Sequence, residues 1–453
     1  MASSIKSLRK DALEIFQTGI DAADPYQAVK NCLTVAENHF EIALDLNDNT
    51  KKRQGRWSKI HVIAIGKAAC RMAQAAKEII PAHRVAGNII AITNYDNVAD
   101  LKNIEILGAG HPIPDSAGQQ AAKRIVEQLK NTKADELVLI LISGGGSALL
   151  PYPAAGISLK DKQTTTDLLL ASGANINQIN CVRKHLSQIK GGYLAKLAAP
   201  ADLHSLILSD VIGDDLSAIA SGPTVPDSTT FKEAISILKN KAIWGKIPLS
   251  VKDLLKKGEQ GEVKETPKPD APFFNKSSAT LIGSNNISLK SIVRTAKNLG
   301  YETDIFSQSV CGEARDIAEQ LALYAKQVEN SLNHATAILA GGETTVSLTG
   351  TGSGGRNQEM ALAFTIAAKK HQLKASWTFL SGGTDGRDGP TDAAGGLVDT
   401  NTLDRLRQNK IDPENSLKNN DSYPALKESQ DLVITGATGT NVADLQILLI
   451  QPE

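Results

Sequence analysis

Short apolar runs alternate with helix-like stretches along most of the chain. The runs are rich in Ile, Leu and Val and show little alternation of apolar and polar positions, as expected for strands buried on both faces of a sheet. Strand, helix and strand at this spacing predict parallel sheets with helices on both faces, an α/β fold. The predicted strands are 60–65, 88–93, 137–142, 205–208, 280–283, 302–306, 337–340, 377–380 and 432–435. The predicted helices include 68–80, 116–130, 287–299, 312–329 and 358–370.

The length and one unusual segment predict the domain organisation. The chain has 453 residues, more than a single hydrophobic core usually serves, so we expect two domains. Segment 256–276 is charged and contains three prolines, which favour an extended chain. We therefore predict an N-terminal α/β domain over 1–255, a linker over 256–276 and a C-terminal α/β domain over 277–453. About the first 45 residues are predicted to be helical, and the sequence leaves open which domain they pack on.

Composition excludes several classes of partner. The formal net charge is zero, so the chain has no basic footprint for nucleic acid or for an anionic membrane. The longest aliphatic run, 137–142, is far too short to span a bilayer. No apolar segment follows the basic residues near the N-terminus, and the four cysteines lack CxxC spacing. We expect a cytoplasmic protein with reduced thiols.

Two glycine-rich loops follow apolar runs in the C-terminal half, at 341–359 and 381–396. Glycine lets the backbone approach a ligand closely and direct several N–H groups at an anion. Carboxylates in the same loops are suited to a hard cation, so the pair predicts a phosphate–metal site. The alternative is two ordinary tight turns. The candidate nucleotide-binding residues here are Gly341, Gly342, Glu343, Thr384 and Asp385.

Two loops in the N-terminal half also follow predicted strands, where ligands bind in open parallel sheets. Gly66 and Lys67 place a turn and a cation at a helix start, a position suited to phosphate or carboxylate. They do not form a P-loop, because its spacer and its Ser/Thr are missing. The alternative is a surface lysine. The second loop predicts a phosphate cradle of three glycines and two hydroxyls: Ser143, Gly144, Gly145, Gly146 and Ser147.

Basic and acidic clusters follow further along the same half. Arg183, Lys184 and Lys190 are expected near a helix start, where the helix dipole disfavours cations unless an anionic ligand is bound; the alternative is a solvated basic face. Neighbouring His185 is more typical of packing than of catalysis. Asp210 and Asp214, just past the strand 205–208, are candidates for a base and for magnesium ligands. The alternative role there is a helix N-cap.

Arg356 lies between a glycine loop and a predicted helix, where a guanidinium suits a phosphoryl group or a substrate carboxylate. The alternative is a surface arginine. Gly350, Gly352 and Gly355 fit the dinucleotide pattern GxGxxG, but the basic residues 369–371 occupy the region where a ribose-binding acid is required. The match is therefore weak.

Nine motifs, in order, together resemble the type II glycerate kinases, which have a C-terminal MOFRL domain. The resemblance extends from about Ala22 to Gln451. The motifs are GKAA (66–69), HPIPD (111–115), SGGGSALL (143–150), VRKHLSQIKGG (182–192), LSDVIGDDLSAIASGPT (208–224), GGETTV (341–346), GGRNQE (354–359), SGGTDGRDGPTDAAGG (381–396) and TGTNVADL (438–445).

The resemblance implies two three-layer α/β/α domains with mostly parallel sheets and an interdomain cleft. It also implies phosphorylation of D-glycerate by ATP and Mg²⁺, usually to 2-phosphoglycerate. By motif, Lys67 corresponds to the family's key lysine, Asp210 to its catalytic aspartate and Arg356 to its phosphate-side arginine.

Together, the residues and the resemblance give a hypothesis for the site. ATP phosphates would bind near Lys67 and 143–147, and Mg²⁺ near Asp210, Asp214 or Asp385. Glycerate would bind near Arg183, Lys184 and Lys190. The alternatives are an NAD(P)H-dependent hydroxypyruvate reductase and a non-enzymatic sensor. The sequence leaves a homodimer open.

Overall fold

The computed structural model describes residues 2–36, 39–46, 48 and 50–452, with side chains from residue 5 onward. The chain divides into two compact units. Unit 1 consists of Met1–Asp24 and Gly283–Glu453, and unit 2 consists of Pro25–Ile282. Every helix in the described ranges is too short or too polar to cross a lipid bilayer.

Helices and strands alternate through both units. The α-helices of the described residues are α1 (Ala2–Asp21), α2 (Pro25–Cys32), α3 (Ala69–Ile79), α4 (Ser116–Leu129), α5 (Gly146–Leu149), α6 (Leu159–Ala171), α7 (Ile176–His185), α8 (Tyr193–Ala198), α9 (Phe231–Asn240), α10 (Leu249–Glu259), α11 (Asn285–Asn298), α12 (Ala314–Glu329), α13 (Arg356–Lys370), α14 (Thr402–Gln408), α15 (Pro413–Lys418) and α16 (Ser422–Glu428). The strands are β1 (Leu33–Val35), β2 (Phe40–Ala43), β3 (Lys52–Gly55), β4 (Ile60–Ile65), β5 (Ile89–Asn94), β6 (Ile104–Ala109), β7 (Leu137–Ile142), β8 (Asp202–Leu208), β9 (Ser277–Gly283), β10 (Glu302–Glu313), β11 (Thr336–Thr345), β12 (Ser376–Gly383), β13 (Gly395–Asp399), β14 (Leu432–Val433) and β15 (Asp444–Gln451).

The large sheet of unit 2 has the strand order β6-β5-β4-β7-β8-β9. Neighbouring strands from β6 to β8 run parallel, which confirms the predicted parallel sheet. The chain builds outward from β4 to β6, then returns to the other side of β4 and adds β7 to β9. In such sheets, ligands bind where the strand order reverses, beyond the carboxyl ends of the two central strands. In unit 2 these strands are β4 and β7.

Helices cover both faces of this sheet, because successive side chains of a strand point to opposite faces. On β4, Val62 and Ala64 pack in the core with α2 and α3, whereas Ile63 and Ile65 pack with α4 and α8. All residues of β4 and β7 are buried, which explains why these strands appear in the sequence as continuous apolar runs. The predicted bounds 60–65 and 137–142 are confirmed to the residue.

Some strands are not predicted by the pattern of apolar residues. Strand β6 lies at the sheet edge, is mostly half-buried and contains Glu105 and Gly108, so its sequence is not that of a buried strand. A separate antiparallel sheet, β1-β2-β3, follows α2.

Helices α6, α7 and α9 begin with capping boxes, in which the side chains of two residues in the first turn each accept a hydrogen bond from the other residue's backbone N–H. The pairs are Ser158 with Asp161, Asn175 with Gln178 and Thr230 with Glu233.

Segment 256–276 is part of unit 2, so the prediction of a free linker is wrong. Its first residues continue α10, and Thr266 is buried, with its hydroxyl donating to Asp227 Oδ2 at 2.9 Å. Glu265 accepts a hydrogen bond from the Phe231 N–H at 2.9 Å. Prolines and charges suggest an extended chain, but the polar groups find partners within the unit. The boundary follows Ile282 instead.

The sheet of unit 1 has the order β10-β11-β15-β12-β13-β14. Only β10 and β11 pair in parallel among the paired strands described; the other pairings are antiparallel. The α/β class is confirmed, but this sheet is mixed where a mostly parallel one is expected. The difference arises from β13 and β15, which the apolar pattern does not predict: β13 opens with two glycines, and Asp444 and Gln446 interrupt the apolar start of β15.

Helix α1 belongs to unit 1, although it begins the chain. Its buried residues Leu8, Ile15 and Phe16 pack in one core with α11 and one face of the sheet. Helices α12 and α13 cover the other face. The sequence left the partner of the N-terminal segment open; the structure divides that segment at Asp24, and the part from Pro25 belongs to unit 2.

An ion network fixes α1 to the rest of unit 1. Arg9 Nη1 lies 2.5 Å from Asp399 Oδ2 and 2.8 Å from Asp431 Oδ1. Arg405 Nη2 binds the same two carboxylates at 2.9 and 2.6 Å. Both aspartate side chains are fully buried, so each depends on these two cations.

We expect Arg9→Met to destabilise unit 1 by about 3 kcal/mol, since it leaves two buried carboxylates with one cation. Urea unfolding of the full chain measures this change. Lys10→Met is the control, because Lys10 is exposed on the same helix. Equal shifts of the unfolding midpoint in the two variants would contradict a special role for the network.

Candidate active site

The loops that leave β4 and β7 are tied together at the point where the strand order of unit 2 reverses. The Lys67 N–H donates to the Gly144 carbonyl at 2.9 Å, and the Ser143 N–H donates to the Ile65 carbonyl at 2.9 Å. The Ala68 N–H donates to Ser143 Oγ at 3.1 Å. Backbone groups of each loop therefore set the position of the other.

Two glycines are required for this close approach. Gly66 has φ +124°, and a Cβ there would lie 2.3 Å from Ser143 Oγ. A Cβ on Gly144 would lie 2.2 Å from Asp210 Oδ2. Both distances are far inside van der Waals contact, so a side chain at either position would displace the loop or the Asp210 carboxylate.

Asp210 follows β8, the strand next to β7, and reaches the same loops. Burial raises the pKa of Asp210, and the nearby Lys67 ammonium opposes that rise only in part. The structure therefore brings together three predicted features of unit 2: Lys67, the loop 143–147 and Asp210. An exposed cation and a half-buried carboxylate face one glycine loop.

His111 lies at the same place and is absent from the predicted site. A Cβ on Gly145 would lie 3.1 Å from His111 Cδ2 and 3.4 Å from Lys67 Cγ. Burial, followed by the Lys67 charge, lowers the pKa of His111, which favours the neutral imidazole. His111 follows β6. We looked for site residues just after predicted strands, and His111 was missed because the apolar pattern does not predict β6. The motif HPIPD, which contains His111, could have pointed to it.

The basic cluster after β7 differs from the prediction. Arg183, Lys184 and His185 form the last turn of α7, not the start of a helix, and cations are favourable there. Lys184 Nζ lies 3.3 Å from Asp227 Oδ1 inside the unit, so Lys184 already has a structural partner. Lys190 is buried beyond the helix end.

His185 has the packing role expected from the sequence. Its Nδ1 bonds to the Cys181 carbonyl at 2.7 Å, and its Nε2 lies 3.0 Å from Glu265 Oε2. Its ring also packs edge-on against Phe231.

The predicted metal ligands do not form a cluster on their own. Within the described residues, no three His, Cys, Asp or Glu side chains are placed to hold one ion. Asp214 has φ +55°, and its neighbour Asp215 accepts the Ser217 N–H at 2.8 Å, which closes a turn. Neither residue is the N-cap of a described helix, so the alternative role considered for Asp214 is not found. Asp210, in unit 2, and Asp385, in unit 1, remain predictions.

In unit 1, both glycine-rich loops meet at Asp444, the first residue of β15. Because β15 runs antiparallel between β11 and β12, Asp444 is in register with Gly342 on one side and Gly383 on the other. Sequence reasoning missed Asp444, since β15 is not predicted and Asp444 begins a strand rather than ending one.

Asp444 holds Arg356, the first residue of α13. Arg356 Nε lies 2.6 Å from Asp444 Oδ2 and Nη2 lies 2.9 Å from Oδ1, a bidentate pair. Arg356 Nη1 lies 2.8 Å from Glu343 Oε1. Burial alone lowers the pKa of Arg356, but these carboxylates outweigh it and raise the pKa. The guanidinium is therefore fixed in orientation and stays charged.

Asp388 fixes the start of α13 from the second glycine loop. Its carboxylate accepts the N–H groups of Asn357 at 3.2 Å and Gln358 at 2.9 Å. Burial raises the pKa of Asp388 to about 6. In the same loop, the Thr384 hydroxyl donates to the Ala443 carbonyl at 2.6 Å, and Asp385 Oδ1 accepts the Arg387 N–H at 3.0 Å. The loop is thus anchored to α13 and to Ala443, the residue before β15.

The glycines of the GxGxxG match serve packing. The Gly352 N–H donates to the Asn419 carbonyl at 2.8 Å. A Cβ on Gly350 would lie 2.3 Å from the same Asn419 oxygen, and one on Gly355 would lie 2.3 Å from Asp388 Cγ. The chain between Gly350 and Gly355 is occupied by neighbouring backbone and side chains of unit 1, which explains its glycines without a dinucleotide.

Comparison with known proteins places these loops in a family. The model named Domain of unknown function (DUF4147) matches residues 11–256, and the MOFRL family model matches residues 336–444. The chain is 43% identical to a glycerate 2-kinase from Pyrococcus horikoshii, over 98% of this chain and 97% of that protein. It is 40% identical to a D-glycerate 2-kinase from Thermotoga maritima, over 98% and 99%. The chain belongs to the glycerate 2-kinase family, with a C-terminal MOFRL domain.

A solved structure has a similar fold, and another relative carries a different name. A crystal structure of glycerate kinase from Thermotoga maritima matches with a TM-score of 0.85 at 39% identity, over 98% of this chain and 100% of that chain. A relative from Agrobacterium vitis, 39% identical over 98% of this chain and 95% of that protein, is named putative hydroxypyruvate reductase. The MOFRL match contains Arg356 and Asp444, and the DUF4147 match contains Lys67 and Asp210.

We expect Gly144→Ala to lower kcat/KM for kinase turnover by about 100-fold or more, because the added Cβ displaces the Asp210 carboxylate. A coupled ADP-release assay measures this loss, with circular dichroism as the check on folding. Gly245→Ala is the matched control, since nothing lies within 4 Å of its added Cβ. Normal turnover by Gly144→Ala would show that the carboxylate position is unimportant.

Proposed function

We propose that this chain phosphorylates D-glycerate with ATP at the 2-hydroxyl, giving 2-phospho-D-glycerate and ADP by direct in-line transfer. The observation that carries the proposal is the convergence of Lys67, Asp210 and the glycine loop 143–147 where the strand order reverses. This is where an open α/β sheet binds its ligand. Relatives named glycerate 2-kinase supply the substrate class.

Asp210 is the proposed base. A raised pKa makes its carboxylate a better proton acceptor than an exposed aspartate. It takes the proton of the glycerate 2-hydroxyl as that oxygen bonds to the γ-phosphorus. The bond from the γ-phosphorus to the bridging oxygen breaks, and ADP leaves. The loop 143–147 and Lys67 hold the phosphates in line with the attacking oxygen, which is most of what phosphoryl transfer requires.

Arg356 is proposed to neutralise charge on the transferring group. Its guanidinium presents a fixed fork because Asp444 holds Nε and Nη2. Preorganised donors stabilise developing charge without the cost of reorientation.

Magnesium fits this donor set as a companion of ATP. Mg²⁺ usually binds through substrate phosphates, waters and one or two carboxylates rather than an all-protein cage. Asp210, Asp214 or Asp385 would provide such a carboxylate. Bound there, the ion would neutralise phosphate charge.

A hydroxypyruvate reductase is the second candidate, because a relative bears that name. The glycines that suggest a dinucleotide site pack against Asn419 and Asp388 in unit 1, which weakens this reading. Consumption of NADH on hydroxypyruvate without ATP turnover on glycerate would favour it.

The first test of the proposal is the product. Purified protein with D-glycerate, ATP and Mg²⁺ is expected to feed enolase directly, without phosphoglycerate mutase, since enolase accepts the 2-phosphate. Phosphorus NMR then identifies the ester. Exclusive formation of the 3-phosphate would keep the kinase and overturn the position of transfer.

We expect Lys67→Ala and Asp210→Asn each to reduce kcat by about 100-fold or more, because each removes charge that acts on the reacting atoms. The controls are Lys123→Ala and Asp253→Asn, which change exposed residues of the same types in unit 2.

For Arg356, both Arg356→Ala and Arg356→Lys are needed, since the alanine leaves the buried Asp444 without its cation. Arg356→Lys keeps the positive charge but lacks the planar, bidentate guanidinium, so this variant is also expected to lose most of its kcat. Near-normal kcat in all of these variants would refute the assigned roles.

A further inference from the structure

Among the described residues of unit 2, three buried or half-buried basic side chains have no acidic partner. Lys162 lies on α6, Arg183 on α7 and Lys190 in the turn that follows α7. Lys162 is 4% exposed, Lys190 is 2% exposed, and Arg183 is half-buried. In the part of the chain that the structure describes, Lys162 Nζ is buried without a hydrogen-bond partner, and no carboxylate pairs with any of the three. Lys184, by contrast, is paired with Asp227.

The three charges are close enough to act on one another. Burial is the main cause that lowers the pKa of Lys162 to about 7, and the charge of Arg183 adds to the effect. Burial also lowers the pKa of Lys190 well below its usual range, and the charges of Lys162 and Arg183 add to that effect. Burial and mutual repulsion disfavour the protonated form of the two lysines, so keeping this cluster inside the fold without a ligand costs stability. A bound anion would relieve both penalties.

Hydrogen bonds connect this cluster to the glycine loop of the candidate active site. Lys190 Nζ donates to the Ser147 carbonyl at 2.8 Å and lies 3.2 Å from Ser147 Oγ. Ser147 Oγ lies 2.9 Å from Ser221 Oγ, which in turn donates to Asn180 Oδ1 at 3.0 Å. Ser221 adopts φ +62°, a conformation that non-glycine residues rarely hold and that concentrates at functional sites.

We propose that Lys162, Arg183 and Lys190 form an oxyanion-binding subsite beside the Ser147 end of the loop. The ligand group is a carboxylate or a phosphate: a guanidinium offers a planar fork to either, and the ammonium groups add point charges. This inference rests on the proposed function for its two sources, the carboxylate of glycerate and the phosphates of ATP. Lys162 is the residue that sequence reasoning did not include, and Lys184 has no part in the subsite.

The test measures binding without turnover. Isothermal titration calorimetry on the full-length protein gives the Kd of D-glycerate alone, ATP alone and inorganic phosphate alone. The variant is Lys162→Met, which keeps the side-chain length and removes an unpaired buried charge, so the fold is expected to remain at least as stable. The control is Lys160→Met, an exposed lysine two positions away on the same helix. We expect Lys162→Met, and not the control, to weaken binding of the oxyanion ligand by about tenfold or more.

The three titrations separate the sources. Weaker binding of D-glycerate with unchanged ATP binding identifies the acceptor carboxylate, and the converse identifies the nucleotide phosphates. Weaker binding of inorganic phosphate in a protein that does not phosphorylate glycerate would keep the subsite and overturn the proposed function. Unchanged affinities for all three ligands, or equal losses in the control, would overturn the subsite even if glycerate kinase activity is normal.

Discussion

The candidate site of unit 2 depends on one backbone hydrogen bond, from the Lys67 N–H to the Gly144 carbonyl. It joins the two loops that leave the central strands in opposite directions, and the hydrogen bonds from the Ser143 N–H to the Ile65 carbonyl and from the Ala68 N–H to Ser143 Oγ support it. The two loops can approach one another because Gly66 lacks a side chain, and Asp210 can approach them because Gly144 lacks one. The Gly144 backbone lies against the Asp210 carboxylate, and the nearby Lys67 ammonium opposes part of the rise in the pKa of Asp210. The chemistry assigned to these residues is therefore a consequence of where the parallel sheet reverses its order.

The sheet of unit 1 also positions charged side chains beside glycine-rich strand ends, but its strands are arranged differently. Its sheet has no parallel reversal among the described strands; instead β15 inserts antiparallel between β11 and β12 and brings its first residue, Asp444, between two glycine-rich strand ends. One carboxylate in that position orients Arg356, while Asp388 fixes the start of the helix that carries it.

Strand ends were readable from the sequence wherever the strand was a continuous apolar run. Buried β4 and β7 gave Lys67 and the loop 143–147, and β8 gave Asp210. His111 and Asp444 were not readable in this way, because β6 is a half-buried edge strand and β15 begins with a polar residue. The misplaced linker has a similar cause: composition records charges and prolines, but it does not record that Thr266 finds Asp227 in the folded unit. Local pattern predicts elements well, whereas partners distant in sequence are decided by packing.

Phosphoryl transfer needs positive charge that protein carboxylates have not already neutralised. Arg9 and Lys184 are neutralised by buried aspartates and serve structure. Arg356 is intermediate, because it contacts one fully buried carboxylate, Asp444, and one that is 45% exposed, Glu343. An exposed side chain exchanges partners readily with solvent, whereas a buried one does not. In the proposed transfer, a phosphate would replace Glu343 at Nη1 while Asp444 keeps Nε and Nη2 in place, so the arginine would change its ligand without losing its orientation.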